Sequence, residues 1–319
     1  MSGLKIVRGV RRTPARVVIH GVEGIGKTTL AAQFPEAVIL DTEDGTNHID
    51  VARVTVNDWA GLEGAIHELV RDRQGFRTVV IDSIDWAERL LVDHLLRKAN
   101  KRSIEDFGFG KGYTMVAEAV GKLLTACDGL IAAGLHVVLV GHTKVARTSP
   151  PDMDEGYDRF ELKLTKQSGP LVKEWADCIL FANYKTRIVE GTDGRSRAKG
   201  GKERVLHTER TAAWDAKNRH GLPAEIPMAI EALAPLFDGV PEPGAAKLTA
   251  AKDEPPLFDR IADYIAKAAS VRTLGTIGDK VDRYVSTGEL SPVQEQLLRD
   301  AITNRHDELE PQEVTDGVA

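Results

Sequence analysis

The sequence predicts an α/β fold with a mainly parallel central sheet flanked by helices. Up to about residue 236, short aliphatic runs alternate with segments of helical spacing, and four of these runs are continuous: "ARVVIH", "EAVILD", "RTVVID" and "LHVVLVGH". Continuous apolar runs are typical of strands covered on both faces, and strands that alternate with helices form parallel sheets. We therefore expect one sheet with helices on both sides.

The elements between these strands follow from the same patterns. A glycine-rich turn and a helix through Gln33 follow the first strand, and further helices are predicted over "DWAGLEGAIHELVRDR", "DWAERLLVDHLLRKA" and "YTMVAEAVGKLLTACDGLIAAG". After His142 the segment "TKVARTSPPDMDEGYDRFELKLTKQSGP" is charged and poor in aliphatic residues, which predicts a long loop. "DCILFANYKTRIVE" and "KERVLHTER" then predict a β-hairpin with the polar tip "GTDGRSRAKGG".

The composition divides the 319 residues into a core (1–236), a Pro/Ala/Gly-rich linker (237–256) and an acidic helical C-terminal region (257–319). That region is predicted to hold two amphipathic helices, "LFDRIADYIAKAAS" and "SPVQEQLLRDAITNRHDELE", with Ser291 as the N-cap of the second. The net charge of −6 resides from Val240 onward, and the preceding part is neutral. The acidic balance therefore does not exclude a nucleic-acid partner.

Cysteine usage and hydropathy indicate a cytoplasmic protein. Cys127 and Cys178 lack metal-ligand spacing, which predicts two buried thiols in a reducing compartment. No run of eighteen apolar residues is present, and the start of the chain has basic residues without an apolar segment after them. We therefore expect neither secretion nor a membrane partner.

The turn "GVEGIGKTT" after the first strand predicts a triphosphate site. It fits the pattern G-x-x-x-x-G-K-[ST] between a strand and a helix, where backbone N–H groups surround phosphates, a lysine reaches the β- and γ-phosphates and a threonine hydroxyl binds Mg²⁺. A glycine turn with a chance lysine is the alternative. The predicted ATP-binding residues are Gly21, Val22, Glu23, Gly24, Ile25, Gly26, Lys27, Thr28 and Thr29.

Two further strand ends supply carboxylates. Asp82 follows the apolar run "TVVI" and is predicted to complete the Mg²⁺ site with Thr28, although an aspartate there also suits a helix N-cap. Glu43 follows the strand "AVILD" and is the predicted base that orients the attacking water. Asp41 and Asp44 are its competitors, and a solvated loop carboxylate is the other alternative.

With these motifs together, the chain resembles the RecA-type ATPases. "GVEGIGKTT" is similar to that family's Walker A sequence, "VVIDS" to its Walker B, and "LDTEDG" to its strand-end D-x-E, whose glutamate is the catalytic base. Across residues 10 to 236 the chain more closely resembles phage-encoded RecA-like proteins, including the Sak-type single-strand annealing ATPases. The resemblance implies a RecA-like P-loop core, ATP and Mg²⁺, single-stranded DNA as a partner and, for a phage protein, the host cytoplasm.

The resemblance also implies roles for three other residues. His142 occupies the place of a polar γ-phosphate sensor, usually glutamine; a neutral imidazole can donate through one ring nitrogen, and a histidine bonded to a strand-end carbonyl is the alternative. "DAKNRHG" resembles an element that acts in a neighbouring subunit's ATP site, so Lys217 and Arg219 would stabilise the transition state in trans. This implies a head-to-tail ring or filament. Two surface cations in a turn are the alternative.

Two segments occupy the places of DNA-binding loops in RecA-like proteins. The first combines cations with aromatic rings, which suits single strands, whereas acidic residues nearly cancel the cations of the second. Simple mobile loops are the alternative. The candidates are Lys101, Arg102, Phe107, Phe109 and Lys111 in the first segment, and Lys144, Arg147, Lys163 and Lys166 in the second, where Arg159 adds a further cation. The hairpin tip adds Arg195, Arg197, Lys199 and Lys202.

The predicted function is ATP hydrolysis coupled to single-stranded DNA in annealing, recombination or repair. A ring helicase or motor, and a P-loop small-molecule kinase or nucleotide switch without DNA, are the alternatives. The acidic C-terminal region is a candidate site for a single-strand binding protein, and regulation of DNA access or capping of the oligomer are the alternatives.

Overall fold

The computed structural model describes residues 8–9, 12–149, 155–190, 196–238, 240, 257–286, 290 and 292–309. The chain divides into two compact units, residues 1–246 and 247–319. Most of the predicted linker, 237–256, lies outside the described residues.

The first unit is built on a central sheet. The strands are β1 (Arg16–Gly21), β2 (Ala37–Asp41), β3 (Ala52–Thr55), β4 (Thr78–Asp82), β5 (His136–Thr148), β6 (Tyr157–Leu162), β7 (Cys178–Glu190), β8 (Ser196–His207), β9 (Lys217–Asn218) and β10 (Glu225–Pro227). The strand order in the sheet is β10-β8-β7-β1-β5-β4-β2-β3. From β7 to β3 every neighbouring pair is parallel, and β8 and β10 add an antiparallel edge. This confirms the predicted α/β class and matches a RecA-like P-loop fold.

Each central strand contributes alternate residues to two separate hydrophobic cores. In β1, Val18 belongs to one core and Ile19 to the other, and in β4, Ile81 and Val80 divide in the same way. Because successive strand residues point to opposite faces, a strand buried on both sides needs a continuous apolar run. The central strands are therefore buried on both faces, which is the property that the continuous apolar runs of the sequence predicted.

Helices cover this sheet, and side-chain caps fix where two of them begin. Asp58 accepts the N–H of Gly61 at the start of α2 (Trp59–Arg71), and Ser83 accepts that of Trp86 at the start of α3 (Ile84–Lys98). The helices of the first unit are α1 (Lys27–Ala31), α2 (Trp59–Arg71), α3 (Ile84–Lys98), α4 (Lys111–Ala132) and α5 (Ser168–Trp175), with 3₁₀ helices at Ile104–Phe107 and Ile230–Leu236. The first helix ends at Ala31, two residues before the predicted Gln33, because residues 32–34 form a turn.

The predicted long loop after His142 is wrong. Strand β5 continues to Thr148 and pairs antiparallel with β6, and α5 follows at Ser168. The hairpin escaped detection because most of its residues beyond His142 are only partly buried, and Val145 is 61 % exposed, so its strands carry no continuous apolar run. For the same reason the short edge strand β3, whose residues are mostly exposed, was missed.

Within its described residues the second unit has three helices rather than the two predicted: α6 (Leu257–Ala266), α7 (Val271–Ser286) and α8 (Pro292–Leu309). Leu274, Ile277 and Val281 of α7 join Ile261 and Ile265 of α6 in a separate core. Their spacing of three and four residues is that of one helix face. The predicted N-cap Ser291 lies outside the described residues.

Within the described part of the chain, no helix combines the length and apolar character needed to cross a bilayer. Cys127 and Cys178 are buried and unbridged, as their isolated positions in the sequence predicted.

Candidate nucleotide-binding site

Three central strands, β1, β2 and β4, end at one edge of the sheet, and β5 crosses the same edge at His142. The register pairs Gly21 at the end of β1 with His142 in β5, and Asp41 at the end of β2 with Asp82 at the end of β4. Open α/β sheets bind ligands at the carboxyl ends of their strands. The structure thus brings the glycine-rich turn, both carboxylate motifs and His142 to the same edge.

The turn between β1 and α1 depends on glycine at three positions. Gly24 and Gly26 have φ angles of +70° and +99°, which L-residues rarely adopt. Gly21 lies against the backbone carbonyl of Ala182 in β7, and any Cβ there would overlap it. The consequence is a loop whose backbone can approach a bound anion closely.

Lys27 begins α1 and is buried, with only 7 % of its surface exposed. Its ammonium donates to the carbonyl oxygens of Gly21 (3.2 Å) and Val22 (3.1 Å), both within the loop. Burial lowers the pKa of Lys27, and the carboxylates of Asp82, Asp85, Glu43 and Glu23 oppose that effect. A cation is therefore held at the loop by four surrounding negative charges.

Asp82 and Thr28 form the predicted metal-ligand pair. Burial raises the pKa of Asp82 to about 6, and the charges of Glu43 and Asp41 add to this, while a hydrogen bond from Thr28 opposes it. Asp82 does not cap the next helix, because Ser83 is the N-cap of α3. A carboxylate beside a threonine hydroxyl is a set of hard oxygen donors, which suits Mg²⁺.

The three carboxylates after β2 have different environments. Asp41 is 2 % exposed and accepts hydrogen bonds from the N–H groups of Glu43, Gly45 and Thr46 and from the Thr46 hydroxyl. Burial opposes ionisation of Asp41, but these hydrogen bonds hold its pKa below the ordinary value. Asp44 is exposed and accepts from Asn47 at 3.1 Å.

Glu43 is the one of the three that faces the other site residues. It accepts a hydrogen bond from the Ser83 hydroxyl next to Asp82, and its carboxylate lies 3.7 Å from the His142 ring. Asp41 therefore orders the loop, and Glu43 remains directed toward the strand ends.

His142 is bonded to a carboxylate, not to a strand-end carbonyl. Its backbone N–H and its ring Nδ1 both contact Asp85 in the first turn of α3, each at 3.0 Å. The hydrogen bond with Asp85 raises the pKa of His142, and burial opposes this. Sequence reasoning missed Asp85, although its place three residues after Asp82 puts it one helical turn from the same strand end.

Lys217 and Arg219 lie at the opposite, amino edge of the sheet. Strand β9 pairs with Cys178 and Ile179 at the start of β7, and Arg219 forms an ion pair with Asp177 at 3.0 Å. The Lys217 ammonium donates to the carbonyls of Lys173 and Glu174 at the end of α5. At about 3.3 Å per strand residue, neither side chain reaches the loop of its own chain.

The candidate DNA-binding residues have varied surroundings. The first segment is ordered by a capped 3₁₀ helix, Lys101 lies over the Phe107 ring, and Phe109 is fully exposed between two glycines of positive φ. Arg102 and Lys111 are exposed, as are Arg147, Lys163 and Lys166 in the second segment, whereas the Lys144 ammonium binds the Leu164 carbonyl.

Arg159 was wrongly counted among these cations. It is 4 % exposed and pairs with Asp215 at 2.6 Å, because β6 places it under the segment that carries Trp214. Of the predicted basic hairpin tip, Lys202 is exposed, Arg195 lies outside the described residues, and nothing is described of the side chains of Arg197 and Lys199.

Arg204 is a second residue that sequence reasoning missed. It projects from β8, and its Nη1 donates to the Ile25 carbonyl in the glycine-rich loop at 3.1 Å. A Cβ at Gly26 would lie 2.7 Å from the same nitrogen. Membership of a basic hairpin was its sole sequence signal, because it is the antiparallel pairing of β7 and β8 that brings this strand to the loop.

The strand order and the loop with its lysine, threonine and aspartate define a P-loop ATPase with a RecA-like core. A family model described as "AAA domain" matches residues 13–220, and the chain belongs to this family. No curated protein matches the chain. A solved structure that it resembles is the flagellar accessory protein FlaH from Methanocaldococcus jannaschii, at 12 % identity over 65 % of this chain and 88 % of that chain, with a TM-score of 0.31.

Proposed function

We propose that this protein binds and hydrolyses ATP with Mg²⁺ and couples hydrolysis to single-stranded DNA. The observation that carries the proposal is the buried Lys27 ammonium, held on the glycine-rich loop beside the Thr28–Asp82 pair. The loop N–H groups and Lys27 would hold the phosphates, and Thr28 with Asp82 would hold the metal. When bound, Mg²⁺ would neutralise part of the negative charge on the phosphates.

Glu43 is the base in this proposal. The Ser83 hydroxyl holds one of its oxygens, and the backbone before it is fixed by Asp41. Its carboxylate remains partly exposed, at 23 %, so a water molecule can reach it. A positioned general base of this kind contributes about 10²–10⁴-fold to a rate.

The proposed link to DNA is the β5–β6 hairpin. His142 is the last residue of β5 before the hairpin, and its carbonyl accepts the N–H of Lys163 just after β6. The exposed cations Arg147, Lys163 and Lys166 lie on this hairpin or directly after it. Displacement of His142 by a terminal phosphate would therefore be transmitted to groups suited to a DNA backbone.

A head-to-tail oligomer would complete the site. Because Lys217 and Arg219 lie at the amino edge, they can act on ATP only in the site of another subunit. Arg219 is 60 % exposed at its side chain, so it is accessible to a neighbour. We further propose that the protein belongs to the phage annealing and recombination branch of RecA-like proteins, and that its helical C-terminal unit binds a single-strand binding protein.

The test is ATP turnover measured with and without single-stranded DNA, with nucleotide affinity measured separately. Lys27→Ala should abolish nucleotide binding, and Glu43→Gln should lower kcat by about 10²–10⁴-fold while ATP still binds. Lys122→Ala, at an exposed position on α4, is the matched control and should behave like wild type.

The outcomes separate the parts of the proposal. Turnover that DNA does not change would remove the DNA role and leave the ATPase, whereas full activity in Lys27→Ala would contradict the site itself. Strand displacement on a forked duplex would favour the ring-helicase alternative. Electron microscopy with DNA and a non-hydrolysable ATP analogue would reveal rings, filaments or monomers.

A further inference from the structure

A buried carboxylate stands directly behind His142. Asp85 is 5 % exposed and uses both carboxylate oxygens on this one residue: Oδ1 accepts the backbone N–H at 3.0 Å, and Oδ1 and Oδ2 lie 3.2 and 3.0 Å from ring Nδ1. The ring is thus fixed in place as well as in orientation. Acceptor atoms of Glu43 and Asp85 and a ring nitrogen of His142 all lie within 4.8 Å of one another.

This contact determines which ring nitrogen carries hydrogen. An ionised carboxylate can only accept, so Nδ1 must be the donor in the contact with Asp85. A neutral imidazole has a single N–H, and the remaining nitrogen, Nε2, is then an acceptor. Phosphate oxygens are acceptors as well. Donation to phosphate by a neutral His142, which the sequence suggested, is therefore incompatible with this geometry.

We propose that Asp85 is a positioning residue that makes His142 a proton-dependent donor to the terminal phosphate of the nucleotide. Asp85 retains the Nδ1 hydrogen, and only the imidazolium form has a second hydrogen, on Nε2, that can be given to phosphate. A glutamine in this position would donate at any pH, whereas this chain would sense phosphate only when His142 is protonated. The inference rests on the proposed ATPase function and extends it.

The charges around the ring favour that protonated form. Three elements present them: Asp85 on α3, Glu43 after β2 and Lys27 on α1. The hydrogen bond with Asp85 raises the pKa of His142, Glu43 adds to the effect, and burial and the Lys27 charge oppose it. Two other charged side chains nearby have their own partners. The Glu88 carboxylate accepts a hydrogen bond from the Thr165 hydroxyl, and the Lys144 ammonium donates to the Leu164 carbonyl.

Asp85→Asn is a nearly isosteric test of the tautomer. The Asn oxygen can keep the backbone N–H of His142, while its NH₂ group takes the place of Oδ2 and donates to Nδ1. The neutral ring must then carry its hydrogen on Nε2, which allows donation to phosphate without protonation. Asp93→Asn, at an exposed position on the same helix, is the matched control.

The first measurement needs no nucleotide. Imidazole ¹⁵N NMR of the full chain, with the His142 signals assigned by their loss in His142→Gln, should show an Nδ1–H tautomer that titrates above the ordinary value of 6.5. Asp85→Asn should switch the ring to Nε2–H and lower its pKa, and Asp93→Asn should change neither. An Nε2–H tautomer in the wild-type protein would overturn the proposal.

The second measurement is kcat at saturating ATP and Mg²⁺ between pH 6 and 9.5. The wild-type rate should fall about tenfold per pH unit above the pKa of His142, because the donor is lost with the proton. Asp85→Asn and His142→Gln should lack this alkaline fall. If both variants keep the wild-type pH profile, the proposal is wrong. If the wild-type chain hydrolyses no ATP, the proposed function fails, and the NMR result still decides whether Asp85 sets the tautomer.

Discussion

Asp82→Asn is expected to stabilise the nucleotide-free protein while removing a ligand that Mg²⁺ needs. Burial raises the pKa of Asp82 from 3.8 to about 6, so the folded chain holds a carboxylate less readily than the unfolded chain does. This difference corresponds to about 3 kcal/mol of lost stability at neutral pH. An amide of the same shape avoids that loss and can still accept the hydrogen bond from Thr28.

The pH dependence has a definite sign. Because the folded pKa is the higher one, the destabilisation is complete above about pH 6 and disappears as the pH falls toward 3.8. The gain from Asp82→Asn should therefore be about 3 kcal/mol at pH 7.5 and roughly half of that at pH 5.

Urea unfolding followed by tryptophan fluorescence is the assay, because all four tryptophans lie in residues 1–246 and so report on the first unit. Asp93→Asn, an exposed aspartate on α3, should leave the midpoint unchanged at both pH values. An unchanged or lower midpoint for Asp82→Asn at pH 7.5, or a gain that does not depend on pH, would refute the reasoning.

Three further predictions use the same assay or nucleotide titration. Gly21→Ala should lower the free energy of unfolding by about 1–3 kcal/mol, because the new Cβ overlaps a neighbouring backbone carbonyl. Gly121→Ala, which has open space around it in α4, should raise the free energy of unfolding by roughly 0.5–1 kcal/mol. Unfolding midpoints that move in the same direction for both variants would contradict this reasoning. Arg204→Ala should weaken ATP binding several-fold, about 1 kcal/mol, because it loses the hydrogen bond from Arg204 to the P-loop. Lys202→Ala, at an exposed position on the same strand, should leave the ATP affinity unchanged. Equal ATP affinities of the two variants in calorimetry would exclude a role of Arg204 in nucleotide binding. Arg159→Met should lower the free energy of unfolding by about 3–5 kcal/mol, because it leaves the buried Asp215 carboxylate without its closest cation. A loss under about 1 kcal/mol would contradict this and show that Lys173 alone compensates the Asp215 charge.

The parts of the fold that the sequence revealed are those whose burial imposes a pattern. Strands β1, β2, β4 and β5 are covered on both faces in the core, so each needs consecutive apolar residues that can be recognised without a structure. The glycine-rich turn was equally visible, because positive φ angles at Gly24 and Gly26 and the close approach at Gly21 restrict the residues that can stand there.

The parts that escaped prediction depend on contacts between distant segments. Arg204 and Ile25 lie 179 positions apart, and His142 and Asp85 lie 57 apart. No local spacing signals such pairs. The hairpin of β5 and β6 was missed for a different reason, since beyond His142 its strands are mostly only partly buried and carry no continuous apolar run.

The hairpin also has a mechanical consequence. Strand β5 runs on from His142 into the hairpin, whose six cross-strand pairs span about 20 Å, and Arg159 and Phe160 of β6 connect the hairpin to the 211–215 segment. In the proposed mechanism, a displacement of His142 by a terminal phosphate would therefore be passed on both to the exposed cations of the hairpin and to the segment that carries Trp214.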